Sequence, residues 1–142
     1  TCSLPLRALI FDLDGTLVDG YDGITSGVNA AREHFGMSPL ALGSVVRITT
    51  NPRIFRQPSL VGEAFAYCDN LLNQPHCEIV QPGEGHWTIF KQLCAGAGVR
   101  GPRITDAWFA ALAIEHGCTW ITDDRDYGRF ANLDWREPTA RT

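Results

Sequence analysis

The run Ile104-Thr105-Asp106-Ala107-Trp108-Phe109-Ala110-Ala111-Leu112-Ala113-Ile114-Glu115-His116 is closed by Gly117 and followed by Cys118-Thr119-Trp120-Ile121-Thr122-Asp123-Asp124. Its first part places Ile104, Ala107, Trp108, Ala111 and Ile114 along one stripe at a 3.6-residue period, which predicts a helix over 104–116. Gly117 is the expected stop, because a residue without a β-carbon closes a helix at little cost. Cys118 to Thr122 then reads as a strand, and Asp123, Asp124 and Asp126 follow it directly. A helix feeding a buried strand that ends in acids is a unit of an α/β protein with its chemistry at the sheet edge.

The same alternation extends toward the N-terminus. Ala8, Leu9, Ile10 and Phe11 form a short continuous apolar run, broken by Asp12-Leu13-Asp14-Gly15-Thr16, as expected of a central parallel strand and the turn after it. Ile24, Val28, Ala31 and Phe35 share a helical stripe, with Gly36 as its stop. Pro39 and Gly43 punctuate the stretch before Val45, Val46 and Ile48. Leu60 to Leu72 is a second amphipathic segment, Glu78 to Val80 a short strand, and His86 to Ala95 a further helix, with a glycine-rich loop over 96–101. No internal repeat or low-complexity segment interrupts the series, which predicts an α/β sandwich around a mainly parallel sheet.

Composition agrees with one compact unit. The chain has 142 residues, 44% of them hydrophobic and 20% charged, enough apolar surface for a core. No apolar run reaches the roughly 18–20 residues that span a bilayer, and Thr1 to Arg7 lacks the layout of a secretory signal. Cys2, Cys68, Cys77, Cys94 and Cys118 are odd in number and scattered, so reduced thiols in a cytoplasmic protein are expected instead of a disulfide frame or zinc site. A net charge of −4 argues against a general nucleic-acid coat. It leaves room for an enzyme whose acidic centre is neutralised by cations before a phosphodiester arrives.

Three acidic features carry the chemistry. Asp12 and Asp14 follow the first strand, Asp106 lies in the first turn of the clearest helix, where the dipole favours a carboxylate, and Asp123, Asp124 and Asp126 follow the last strong strand. Each has an ordinary reading as a turn, cap or solvated residue. Together they fall where parallel sheets gather their sites, beyond the carboxyl ends of the strands. Carboxylates brought together repel unless cations lie between them, and a site rich in hard oxygen donors suits Mg²⁺ or Mn²⁺. The histidines His34, His76, His86 and His116 lack metal-ligand spacing. Trp87, Trp108, Trp120 and Trp135 are expected to pack in the core or an interface.

Residues 43–138 resemble PIN-domain toxin ribonucleases of the VapC type. The resemblance is carried by Val46-Arg47-Ile48-Thr49-Thr50-Asn51-Pro52-Arg53-Ile54-Phe55, by Pro82-Gly83 with His86-Trp87, and by Ile104-Thr105-Asp106-Ala107. Its most specific parts are Ala110 to Gly117 and Thr122-Asp123-Asp124-Arg125-Asp126-Tyr127 with Arg129-Phe130. It implies a PIN-like α/β/α sandwich and a Mg²⁺- or Mn²⁺-dependent endoribonuclease, homodimeric and silenced by a cognate antitoxin. It further implies that Asp12, Asp106 and Asp124 are catalytic and, with Asp126, hold the metal, supported by Asp14 and Thr122. Arg47, Arg53 and Arg125 are the expected RNA-binding residues on its rim. The whole of 1–142 is then one PIN-like domain with an atypical segment over 1–42.

Two departures from the pattern keep other readings open. Residues 5–42, above all Leu9-Ile10-Phe11-Asp12-Leu13-Asp14-Gly15-Thr16-Leu17-Val18-Asp19, are similar to the first motif of haloacid-dehalogenase-type hydrolases. That likeness implies a phosphatase with Asp12 as nucleophile and Asp14 as acid/base, Thr49 or Thr50 as the phosphate-binding hydroxyl, Lys91 as the cation, and Asp123 and Asp124 as the second metal pair. The PIN family's second acid, a Glu before the Val-Arg-Ile segment, has no equivalent among Ala41, Leu42, Gly43 and Ser44, and Glu33 is the one candidate substitute. Without it, an inactive PIN-like binding module is the third reading.

Overall fold

A computed structural model of the chain describes residues 9–12 and 34–137. Over these residues the elements are β1 (Leu9–Phe11), β2 (Phe35–Met37), α1 (Pro39–Thr49), α2 (Val61–Leu72), β3 (Cys77–Ile79), α3 (His86–Ala97), α4 (Arg103–His116), β4 (Thr119–Ile121), a 3₁₀ turn (Arg125–Arg129) and β5 (Trp135–Arg136). The strands form one sheet in the order β3-β2-β1-β4-β5, and every neighbouring pair is parallel. The expected α/β architecture is therefore realised with a wholly parallel sheet in the described residues.

Local chemistry explains the helix ends. Ser38 caps α1 by accepting from the Leu40 N–H at 3.2 Å, and Pro39 at the first helical position has no N–H to lose. Glu63 reaches back to the Leu60 N–H at 2.9 Å at the start of α2. Gly98 and Gly117 close α3 and α4 with φ of 63° and 66°, a conformation that a side chain would strain.

The sheet buries an apolar core. Ile10, Met37 and Trp120 are fully buried in the strands, and Ala107, Ala110, Ala111 and Leu112 press α4 onto them. Its run of alanines lets that helix approach closely. His86 at the start of α3 is buried against the Trp108 ring, with its Nε2 2.9 Å from the Trp108 carbonyl, so α3 and α4 are pinned as a pair. Trp87, by contrast, is exposed, whereas Trp120 is wholly buried and Trp108 and Trp135 pack at the core's margin.

Several boundaries differ from the sequence reading. Phe35 and Gly36, expected to end a helix, open β2; residues 24–33 lie outside the described residues. Phe35, Gly36 and Met37 are all buried, because β2 is flanked by β1 and β3, and burial on both sides overrides a helical stripe. Gly43 does not break the chain but sits within α1, where a Cβ would meet nothing within 4 Å. The loop expected over 96–101 starts later, since α3 runs to Ala97. The two-residue β5 and the 3₁₀ turn are too short to leave a periodic signal.

Candidate active site

The register of β1 against β4 pairs Leu9 with Thr119, Ile10 with Trp120 and Phe11 with Ile121, so the next residues, Asp12 and Thr122, emerge side by side. The chain runs outward from β1 to β2 on one side, while β4 lies on the other. The crevice between β1 and β4 is therefore the switch point where parallel sheets present their sites. The Asp12 N–H donates to the Ile121 carbonyl at 2.7 Å, and the Thr122 N–H to that of Arg136 at 2.9 Å, which fixes both backbones at the edge. Both side chains are buried, Asp12 at 5% and Thr122 at 0% exposure. The Thr122 hydroxyl donates to Asp12 Oδ2 at 2.6 Å and accepts from the Asp124 N–H at 2.9 Å. One hydroxyl thus ties the acid after β1 to the acid after β4.

Asp124 divides its oxygens. Oδ1 accepts from the Asp126 N–H at 2.9 Å and caps the 3₁₀ turn, while Oδ2 faces the Arg103 guanidinium at 3.6 Å. The ordinary capping role and the expected site role coincide in one carboxylate. Asp106, one helical turn into α4, receives Arg103 Nη1 at 3.2 Å on Oδ2 and the Tyr127 hydroxyl at 3.4 Å on Oδ1. Arg103 Nη2 also pairs with Asp126, which Arg129 contacts from the other side at 3.7 Å.

Tyr127 is carried into this group by stacked and tilted rings running Phe109, Trp120, Tyr127, Phe130 from α4 across β4 to the 3₁₀ turn. Burial pushes its phenol far up, and the charges of Asp12, Asp106 and Asp124 push the same way, so its hydroxyl keeps its proton and acts as a donor. Asp106 is raised above the usual carboxylate range, chiefly by burial; the Arg103 hydrogen bond opposes this, the Asp124 charge adds to it, and the Arg103 charge and the Tyr127 bond oppose it.

The donor set suits a hard divalent cation: carboxylate and hydroxyl oxygens at the sheet edge, with no sulfur or imidazole among them. Among the described residues no three acids, histidines or cysteines are drawn round a common point. In this arrangement positive charge is supplied by the guanidinium of Arg103, which spans Asp106, Asp124 and Asp126. That guanidinium lies on carboxylate oxygens of Asp106, Asp124 and Asp126 as a cation would, so the residues fit a divalent ion by the chemistry of their donors.

The other expected positions divide. Asp14 and Glu33 lie outside the described residues, and Asp123 is exposed. Arg47 lies in the last turn of α1 and Arg53 in the turn after it, both exposed; Arg125 is exposed and pairs with Glu137 at 3.2 Å. The guanidinium that reaches the acids is Arg103, which no motif singled out; its signal was only its place three residues before Asp106, one helical turn away. Ala41, Leu42, Gly43 and Ser44 lie on α1, a helix without an acid. The phosphatase constellation does not assemble: the Thr49 and Thr50 hydroxyls donate to the Val45 and Val46 carbonyls of their own helix, both at 2.7 Å, and Lys91 is exposed on α3.

Comparison with known proteins agrees with this geometry. Residues 25–133 match the PIN domain family model. The chain is 36% identical over 118 residues to VapC ribonuclease Mb2897 of Mycobacterium bovis, covering 83% of this chain and 80% of that protein. It is 39% identical over 104 residues to ribonuclease VapC25 of Mycobacterium tuberculosis, covering 73% of each. In fold it is similar to DNA-bound VapBC from Salmonella typhimurium, with TM-score 0.69 and 15% identity over 94% of this chain and 99% of that one. VapBC-1 from nontypeable Haemophilus influenzae gives TM-score 0.68 and 15% identity over 94% of this chain and all of that one. The chain belongs to the PIN-domain family, in its VapC-type group. The family match begins at residue 25, inside the 5–42 segment read from the sequence as atypical.

Proposed function

We propose that the chain is a divalent-metal-dependent endoribonuclease, the toxin of a toxin–antitoxin pair, with 1–142 forming one PIN-like domain. The observation that carries this reading is a linkage at the β1–β4 switch point: Thr122 ties Asp12 to the start of the Asp124 turn, and Arg103 bridges Asp124 to Asp106, to which Tyr127 also donates. The relatives named above are ribonucleases, which gives the substrate class. Asp12, Asp106 and Asp124 hold Mg²⁺ or Mn²⁺, with Asp126 beside them. When bound, such an ion offsets charge on the phosphodiester and makes water a better nucleophile.

The remaining work falls to the chain itself. Thr122 holds Asp12 and the start of the Asp124 turn in one geometry, and Tyr127 orients Asp106. Arg47, in the last turn of α1, Arg53, in the turn after it, and Arg125, paired with Glu137, are exposed cations that would meet RNA phosphates and position the strand, Arg125 by exchanging its Glu137 contact. Asp14, outside the described residues, is the remaining candidate to support the acids. An antitoxin and a second copy of the chain are the protein partners, the former supported by the paired VapBC structures that share the fold. The exposed Leu60, Val61 and Phe65 at the start of α2 offer apolar surface of the sort a protein covers. Cys68, Cys77, Cys94 and Cys118 are free thiols, which supports a cytoplasmic setting; among the described residues no helix is long and apolar enough to cross a membrane.

The test pairs the unaltered chain with Asp106→Asn on structured RNA and on a phosphomonoester, with Mg²⁺ or Mn²⁺ and then with chelator. RNA cleavage that needs both metal and Asp106 is the expected result. Phosphomonoester turnover that survives Asp106→Asn would overturn the proposal in favour of a phosphatase. A folded chain inert toward both substrates would identify an inactive module, with the acid absent from α1 as its cause.

A further inference from the structure

Arg103 stands in an unusual place for a cation. It is the first residue of α4, where the helix dipole is positive and disfavours another positive charge. Its guanidinium compensates by reaching three carboxylates from two elements: Asp106 at 3.2 Å, Asp124 at 3.6 Å, and Asp126. Asp126 has a second cation in Arg129. Asp106 and Asp124 have Arg103 as their ion-pair partner among the described residues. The contact therefore falls on two of the three acids assigned to the metal, and a local conflict of this kind marks a position kept for its role in a site.

We propose that Arg103 is a resident counter-cation of the acid site, holding Asp106 and Asp124 together until a divalent ion displaces it. The proposal rests on the reading of these acids as the metal site. A guanidinium carries one charge spread over a plane, which is enough to offset carboxylate repulsion but not to match a divalent ion. Metal entry must break the two contacts to Asp106 and Asp124. Arg103 is about 40% exposed in its side chain, so it has room to swing outward when they break. The apparent affinity for metal is then set by a competition inside one chain.

The experiment is a titration of the full chain with Mn²⁺, free ion being read by electron paramagnetic resonance, beside melting with and without metal. Arg103→Gln is expected to bind Mn²⁺ about tenfold more tightly, as the loss of two competing ion-pair contacts allows, to melt lower than the unaltered chain without metal, and to gain more on adding it. Arg103→Lys, which keeps the charge but loses the fork, should fall between. In the unaltered protein, the side-chain nitrogen resonances of Arg103 should shift on Mg²⁺ addition with the same midpoint as metal binding. Mn²⁺ bound by the unaltered chain with no gain in Arg103→Gln, or Arg103 resonances unmoved by bound Mg²⁺, would overturn the proposal and leave the metal site standing. Failure of the unaltered chain and Arg103→Gln alike to bind Mn²⁺, or full binding by Asp124→Asn, would remove the metal site and the proposal with it.

Discussion

The Thr122 hydroxyl donates to the Asp12 carboxylate at 2.6 Å across a sequence separation of 110 residues, and both groups are buried. The same oxygen accepts the Asp124 N–H, so it is satisfied as donor and acceptor at once. Valine has nearly the shape of threonine but would leave Asp12 and the Asp124 N–H each without this partner. A buried hydrogen bond to a charged group contributes roughly 1.5–3 kcal/mol, so Thr122→Val should lower stability by about that amount in urea unfolding. Thr122→Ser keeps the hydroxyl and should lose well under half as much. RNA cleavage should follow the hydroxyl: serine retains it, and valine falls by roughly 10- to 100-fold, the range for partners that orient metal ligands. Equal loss in both variants would show that the methyl group's packing, not the hydrogen bond, matters.

Asp106 makes a prediction of opposite sign for stability and activity. Its carboxyl is raised, first by burial, so the folded chain holds that proton more tightly than the unfolded chain does. The resulting stabilisation is complete below the unfolded-state value and is lost as pH rises through the raised folded value. Above that window, without metal, the ionised Asp106 is a net burden. Asp106→Asn should therefore melt at or above the unaltered chain at neutral pH in chelator, and its stability should lack the decline across that window. Metal should reverse the order by stabilising only the unaltered chain. A lower melting temperature for Asp106→Asn in chelator at neutral pH would mean that the Arg103 pairing outweighs burial.

The strands that carry Asp12 and Asp124 were legible because continuous apolar runs followed by acids survive any choice of tertiary arrangement. Asp106 was legible from the period of α4 and its place in the first turn. What joins them was not. That Thr122 meets Asp12 follows from parallel pairing of β1 with β4, a register set by packing and not by local sequence. Arg103 drew no reading at all from the sequence, since nothing local says that the acids after β4 come within reach of it. Phe35 misled for a related reason: its helical spacing is real, but position between two strands decides its conformation. The resemblance to PIN-domain toxins supplied the assembly that periodicity could not; the family match runs over 25–133, starting earlier than the 43–138 read from the sequence.

Cys77 gives a separate check on the sheet's other side. Burial raises its thiol to about 11, and the neighbouring Glu78 charge adds to the effect. The thiolate is the reactive form, so Cys77 should react with iodoacetamide at pH 8 far more slowly than a free cysteine. Its rate should climb about tenfold per pH unit up to the point where the thiol is half ionised. Peptide mapping after short exposures at pH 7.5, 8.5 and 9.5 measures this directly. A rate that levels off near pH 8.5 would show Cys77 to be ordinary and exposed, and β3 to be loosely held at the sheet edge.

Glu115 lies near the far end of α4 from Asp106, and its carboxylate accepts the Gly83 N–H at 2.8 Å and the Gly85 N–H at 2.9 Å. It thereby pins the turn between β3 and α3, and His116 adds a contact from Nε2 to the Gln81 carbonyl at 2.8 Å. Gly83 is needed there for space: a Cβ would lie 2.7 Å from a Glu115 oxygen. Glu115→Ala should cost about 1–3 kcal/mol, reduced from the sum of two charged hydrogen bonds because water can reach the freed amides. Gly83→Ala should cost less, by pushing the flexible carboxylate aside. The two changes disturb one contact, so the double variant should be less destabilised than the sum of the singles. Glu115 lies nine positions along the helix from Asp106, roughly 13.5 Å at 1.5 Å per residue. RNA cleavage by the folded fraction should therefore be unchanged in all three variants. Additive costs would show that Glu115 and Gly83 act independently, and lost cleavage at full folding would show that this turn reaches the acids.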